Sequence, residues 1–158
     1  MPIYVEWEGV EGDVTAEAYT KQVEMTSFSF GVSRAIASPL GGSKDRESAA
    51  PAVSEVVLTK VTDSATTGLF EAALCGEGKK LTINFVKTDA DQLETFLSYE
   101  LQESLVSSYS MSSGGDNPSE SVTVNFTKIV MKKTPTGSLN ETGTAMPTGW
   151  DLAKQKKM

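Results

Sequence analysis

Leu81-Thr82-Ile83-Asn84-Phe85 places an apolar side chain at every second position, and Val122-Thr123-Val124-Asn125-Phe126 repeats the pattern. A period of two sends successive side chains to opposite faces of a strand, so each stretch predicts an antiparallel strand with one buried face. Working outward, β-rich segments recur at Ile3–Glu8, Gln22–Arg34, Val53–Val61 and Trp150–Ala153, each bounded by Gly, Ser, Thr or Asp. Between the two strongest strands, Leu93, Leu97, Leu101 and Leu105 fit a helical stripe, while Leu97, Tyr99, Leu101 and Leu105 equally fit a strand face. The Ser-rich, β-favouring run from Val106 to Ser113 decides for one long strand over Phe96–Met111.

One segment reads as a helix. In Thr66–Gly76, Thr66 or Thr67 can cap the N-terminus, Leu69, Phe70, Ala73 and Leu74 form an apolar stripe, and Gly76 can stop the turn. The predicted fold class is therefore mainly β: a compact β-barrel or two packed antiparallel sheets, flanked by one short α-helix. The 158 residues suit a single domain spanning 1–158, because two would each have too little interior. Residues 35–52 hold two prolines, a Gly-Gly pair and no apolar period, which predicts a long loop, either a floppy insertion or a segment that orders against a neighbouring molecule. Ser112–Ser119 reads as a hairpin loop and Thr134–Gly149 as a flexible C-terminal connection.

Charge and missing residue types narrow the function. Fourteen Lys+Arg against 21 Asp+Glu give a net charge of −7, a poor fit to a surface that must neutralise phosphates, so no nucleic-acid partner is expected. Histidine is absent, which removes His-ligated zinc, the Ser-His-Asp triad and the Cys-His pair. The single cysteine, Cys75, has no internal disulfide partner and is expected to pack in the core. No apolar run approaches the roughly 20 residues of a membrane span, so no membrane insertion is expected. The start, Met1-Pro-Ile-Tyr-Val-Glu-Trp-Glu, shows neither a basic n-region nor an apolar h-region, predicting no cleaved secretory signal.

Apparent motifs dissolve on inspection. Asp89-Ala-Asp91-Gln-Leu-Glu94 lacks the glycine and final acidic ligand of a calcium loop and reads as a solvated turn. Gly76-Glu-Gly-Lys-Lys80 has Lys80 where a phosphate loop needs Ser or Thr, and reads as a helix stop. The sequons at Asn125 and Asn140 are read as incidental, and Lys154–Lys157 fits a contact with an acidic partner and a solvated tail equally well. No positioned base accompanies the abundant hydroxyls, so no catalytic, cofactor or metal site is assigned and the protein is expected not to be an enzyme.

Several segments, in order along the chain, resemble the haemolysin-coregulated protein (Hcp) family, the tube proteins of bacterial type VI secretion systems. They are Phe28-Ser-Phe-Gly31, then Val57-Leu-Thr-Lys-Val-Thr-Asp63 with its Thr-Lys-x-x-Asp strand end, and the short helix ending Ala-Leu-Cys-Gly76. Leu105-Val-Ser-Ser-Tyr-Ser110 ahead of a Gly-Gly loop follows, then Glu120-Ser-Val-Thr-Val-Asn-Phe126 and Gly149-Trp-Asp-Leu152. The chain departs at Thr66-Thr-Gly68, where the family usually carries a Pro step before the helix.

The resemblance implies a subunit that closes into six-membered rings, with rings stacking into a hollow tube. It implies small effector proteins carried in the lumen, sheath and spike proteins as partners, and a cytoplasmic stage followed by secretion on contraction without a cleaved signal. With Phe28 and Phe30 turned inward it points to Ser29 as a lumen residue contacting effectors; Val23 and Met25 lie on the opposite phase, which by itself predicts a bulge or sheet change near Ser27. It points to Ser38, Pro39, Leu40, Gly41, Gly42, Ser43, Lys44, Asp45 and Arg46 as a ring-stacking loop. Two rival readings stand beside it: a phage-like contractile tail tube or baseplate protein, and a monomeric small-molecule-binding β-barrel.

Overall fold

The computed structural model describes residues 1–37, 47–89, 91–136 and 143–158. In chain order the strands are β1 (Ile3–Trp7), β2 (Val23–Met25), β3 (Ser27–Ser29), β4 (Val32–Ser33), β5 (Ile36–Ala37), β6 (Glu47–Ser48), β7 (Ala52–Val53) and β8 (Val56–Val61). The helix α1 (Thr66–Cys75) comes next, then β9 (Lys79–Asp89), β10 (Gln92–Ser112), β11 (Ser119–Asn125), β12 (Lys128–Lys133), β13 (Met146–Asp151) and β14 (Lys156–Lys157).

The 21-residue strand β10 organises the architecture. Its first half pairs with β9 on one side and β12 on the other; its second half pairs with β11. Partners change at Glu103, whose φ of 53° lies in the left-handed region, and the register with β9 shifts between Leu101 and Ser104. An irregularity of this kind bends a strand and reverses its side-chain parity. As a result Leu101 is fully buried and Ser104 nearly so, while Leu105 is 44% exposed. The expected strand face therefore holds at Tyr99 and Leu101 and fails at Leu105.

Sharing β10 yields two antiparallel sheets. Sheet A runs β2-β1-β9-β10-β12-β13-β14, and sheet B runs β10-β11-β8-β3. Residues 23–29 link their far flanks: β2 pairs with β1, β3 pairs with β8, and the Thr26 N–H donates to the Thr59 carbonyl at 2.7 Å. The ladder is interrupted at Thr26, the sheet change expected near Ser27, and the sheet is not closed into a barrel. Of the two architectures expected, packed sheets are the one observed. Between them Val5, Val23, Leu58, Leu69, Leu81, Ile83, Leu101, Val122 and Val124 are excluded from solvent, the principal driving force for the fold.

The alternating stretch Leu81–Phe85 lies within β9 and Val122–Asn125 within β11, with Phe126 one residue beyond it, and β13 begins at Met146, four residues before the expected Trp150. β12 was not anticipated, because Ile129-Val130-Met131 is a continuous apolar run flanked by lysines and carries no period of two. The span expected as a long loop is partly laddered: β4 pairs with β7, and β5 pairs with β6. Residues 38–46, the proposed stacking loop, lie outside the described residues.

The helix ends as expected at Gly76, where a Cβ would sit 2.4 Å from the Ala72 carbonyl oxygen. Its start differs. Ala65 is the N-cap, with no side-chain cap, and its N–H is taken by the Asp63 carboxylate at 2.9 Å. The stripe is narrower than expected: Leu69 is fully buried, whereas Phe70 and Leu74 are 52% and 69% exposed. Cys75, expected in the core, is exposed as well, since the helix packs mainly on β10 and buries Leu69 there.

Candidate functional site

The outward face of sheet B presents its side chains in regular rows. Residues directly opposed across a ladder share a face, so the registers define it. Ser29 lies opposite Val57, which lies opposite Thr123, which lies opposite Ser108; Ser27, Thr59, Ser121 and Ser110 form the next row. Val61, Ser119 and Ser112 complete it. No residue in these rows carries a charge, and hydroxyls dominate. Thr59 is bridged by Thr26 at 2.9 Å and by Ser27, while Ser29, Ser108, Ser110, Ser121 and Thr123 make no side-chain hydrogen bond among the described residues. At the rim, Glu55 accepts from Ser107 at 2.8 Å and from Asn125 at 3.1 Å.

Ser29 is exposed at one edge of this face, on β3. Its two neighbours point the other way. Phe28 packs edge-on against Phe85 with ring centroids 5.2 Å apart and lies 4.9 Å from Tyr99; Phe30 lies 5.8 Å from Tyr99 and 6.4 Å from Phe126. The Phe-Ser-Phe-Gly element is thus an aromatic anchor that holds the serine outward.

One residue out of phase, the inward side of the same sheet holds a buried ionic cluster. Lys60 of β8 lies opposite Glu120 of β11, and both side chains are completely buried. The Lys60 ammonium meets three acceptors: Glu120 Oε2 at 2.7 Å, Asp63 Oδ1 at 2.7 Å and the Val61 carbonyl at 2.8 Å. Glu120 also accepts from Thr66 Oγ1 at 3.0 Å and from the Tyr109 hydroxyl. Burial works to raise the Glu120 pKa, but hydrogen bonds from Lys60, Tyr109 and Thr66, with the Lys60 charge, outweigh it and hold the group below its ordinary value. Burial, then the bond to Glu120 and that carboxylate's charge, push Tyr109 up to about 12. Every proton of the ammonium is matched, so the cluster fastens β8, β11, β10 and the start of α1 together.

This explains the Thr-Lys-x-x-Asp strand end. Lys60 and Asp63 form an i,i+3 pair at the turn into the helix, and Thr66 serves Glu120 instead of capping. Glu120 was not singled out in the sequence, although a carboxylate and a lysine at the inward parity of two apolar strands signal a buried pair. The other motifs resolve as structure: Lys79 opens β9, and Asp89 and Asp91 flank the turn into β10. Among the described residues no cluster of His, Cys, Asp or Glu is placed to hold a metal, and no helix is long and apolar enough to cross a membrane.

Fold and face together define a mainly antiparallel β protein that presents a broad, neutral sheet outward. A family model described as "Type VI secretion system effector, Hcp" matches residues 4–132, and the chain belongs to the Hcp family, the tube proteins of type VI secretion systems. A solved structure of a type six secretion system protein is 25% identical, with a TM-score of 0.90 and 99% of each chain covered. Hcp1 from Salmonella typhimurium shares the fold at 17% identity, TM-score 0.78, covering 99% of this chain and 98% of that one. The secreted protein Hcp3 from Pseudomonas aeruginosa shares it at 20% identity, TM-score 0.65, covering 95% and 99%. No curated protein matches the chain.

Proposed function

We propose that the chain is a non-catalytic tube subunit, six copies of which close into a ring, and that rings stack into a hollow tube ejected by sheath contraction. The hydroxyl face of sheet B lines the bore, with Ser29 among the groups that touch small effector proteins, and the arm carried by β4 to β7 reaches the next ring through residues 38–46. The sheath, the spike and effectors are its partners, and the protein passes from the bacterial cytoplasm to the outside or into a target cell.

The observation that carries this reading is the hydroxyl-dominated outer face of sheet B, whose three central rows carry no charge and whose rim holds Glu55, in a member of the tube-protein family. Unengaged hydroxyls on the outer face of a sheet donate and accept, so they hold varied cargo without the deep desolvation cost of a charged wall. Electron micrographs and native mass measurement of the purified protein test it: annuli of six subunits are expected, and a strictly monomeric species at micromolar concentration overturns it. Because Ala37 lies opposite Glu47, replacing residues 38–46 by an Asn-Gly turn closes the arm as a short hairpin. Rings of that variant are expected to form but to stack poorly; unimpaired stacking removes the loop's assigned role.

A further inference from the structure

Charge is distributed unevenly along sheet A. Residues 1–25, which supply β1, β2 and the connection between them, hold six carboxylates and one lysine, and that Lys21 is paired with Glu11. Glu17 and Asp91 line one hollow at this end, and Asp13, Glu24 and Asp63 line another beside β2. The opposite end is basic. Lys128, Lys132, Lys133, Lys154, Lys156 and Lys157 belong to β12, β14 and the segment before β14, where the carboxylate among the described residues is the buried Asp151. β2 is first and β14 last of seven strands, so at ~4.8 Å per strand about 29 Å, measured along the sheet, separates its two edges.

The basic end also bears an apolar groove of about 400 Å³, lined by Phe30, Tyr99, Ile129, Met131 and Trp150 with Lys157 among its walls. Met131 is 41% exposed there. Gathering like charges at each end gains the single subunit nothing, because surface charges of one sign repel.

We infer that the two ends are the halves of one interface between copies of this chain: the carboxylate-rich β1–β2 end of one protomer docks on the lysine-rich β12–β14 end of the next and covers the groove. A two-fold dimer through either end would set like charges face to face, which costs affinity. Joining unlike ends is heterologous and leaves one free end of each kind, so addition continues in one direction until it closes. The inference rests on the ring reading above and names the contact that builds the ring.

The test reverses each end separately. One variant carries Glu17→Lys and Glu24→Lys; the other carries Lys156→Glu and Lys157→Glu. All four side chains are exposed. Each variant alone should need at least about tenfold more protein to assemble, read by sedimentation, with an unchanged circular dichroism spectrum. Mixed in equal amounts, they should assemble again, because every contact between unlike variants joins opposite charges. Folded variants that assemble like the unmodified protein, or a mixture that stays monomeric, overturn the inference while leaving the ring intact; an unmodified protein that never assembles overturns the ring reading itself. Should a variant fail to fold, salt decides: assembly of the unmodified protein should weaken several-fold on going from about 0.05 to 0.5 M salt, and an unchanged midpoint overturns the inference.

Discussion

Lys60 and Lys80 both meet a glutamate across a ladder, but Lys60 is completely buried against Glu120 at 2.7 Å, and Lys80 is 58% exposed at 3.5 Å from Glu100. The first pair lies between the sheets where β8, β11 and the helix converge. The second lies on the outer face of sheet A, shared with Lys132 at 3.7 Å. In water the ions are screened and their side chains give up rotamer freedom to meet, so an exposed pair contributes little. Between the sheets neither ion can fall back on water, and each depends on the other. The same chemistry thus serves as a fastening in one place and as surface charge in the other, and only the fastening joins the strands that carry the hydroxyl face.

The sharpest way to break the comparison is Lys60→Met. Glu120 would remain buried with its Thr66 and Tyr109 donors but without its cation, and stability should fall by about 3–5 kcal/mol in urea titration. Lys60→Met combined with Glu120→Leu should recover most of that loss, because no uncompensated charge is left. A single-variant loss below about 1 kcal/mol would mean that Lys60 behaves like Lys80 and that burial is not what separates them.

Much of this was visible before any coordinates. Leu81–Phe85 and Val122–Phe126 announce their strands because one face meets the core and the other does not, and Gly76 announces its helix end because any Cβ there meets a carbonyl. What stayed hidden depends on long-range register or on backbone torsion. The turn of β10 at Glu103 hangs on a positive φ at a residue with no local mark of it, which is why Leu105 was assigned to the wrong face. Glu120 lies 60 residues from Lys60, and its partnership appears only when β11 is laid on β8. The hydroxyl face was legible at Ser29 alone, since its rows draw on four strands; the exposed Phe70 and Leu74 follow from how little of α1 the sheet can cover.

Titration probes the buried cluster more gently. The Glu120 pKa is held below its ordinary 4.5, so its contribution is present above that value and is lost as pH falls through the depressed one. Tyr109 shifts the other way: its contribution is full below the ordinary 10.0 and drains away as pH rises towards about 12. Thermal unfolding should therefore show a plateau between about pH 5 and 10 with a decline on either side. Tyr109→Phe should flatten the alkaline decline, leave the acid one in place, and cost about 1.5–3 kcal/mol at neutral pH as a hydrogen bond to a charged acceptor is lost. An alkaline limb that survives Tyr109→Phe would assign the decline elsewhere.

The smallest effect belongs to the exposed pair. Glu100 is held below its ordinary pKa by its Gln102 hydrogen bond and by Lys80 and Lys132, against the opposing effect of burial, yet both lysines remain largely in water at 58% and 45% exposure. Glu100→Gln should change subunit stability by less than about 1 kcal/mol, and about 0.5 M salt should erase the difference. The comparison sharpens when the same substitution is measured below and above the concentration at which subunits associate. An effect that stays below 1 kcal/mol in both leaves the outer face of sheet A in water throughout. A cost that grows several-fold only on association would show that a neighbour covers Glu100 and that assembly has made the second pair resemble the first.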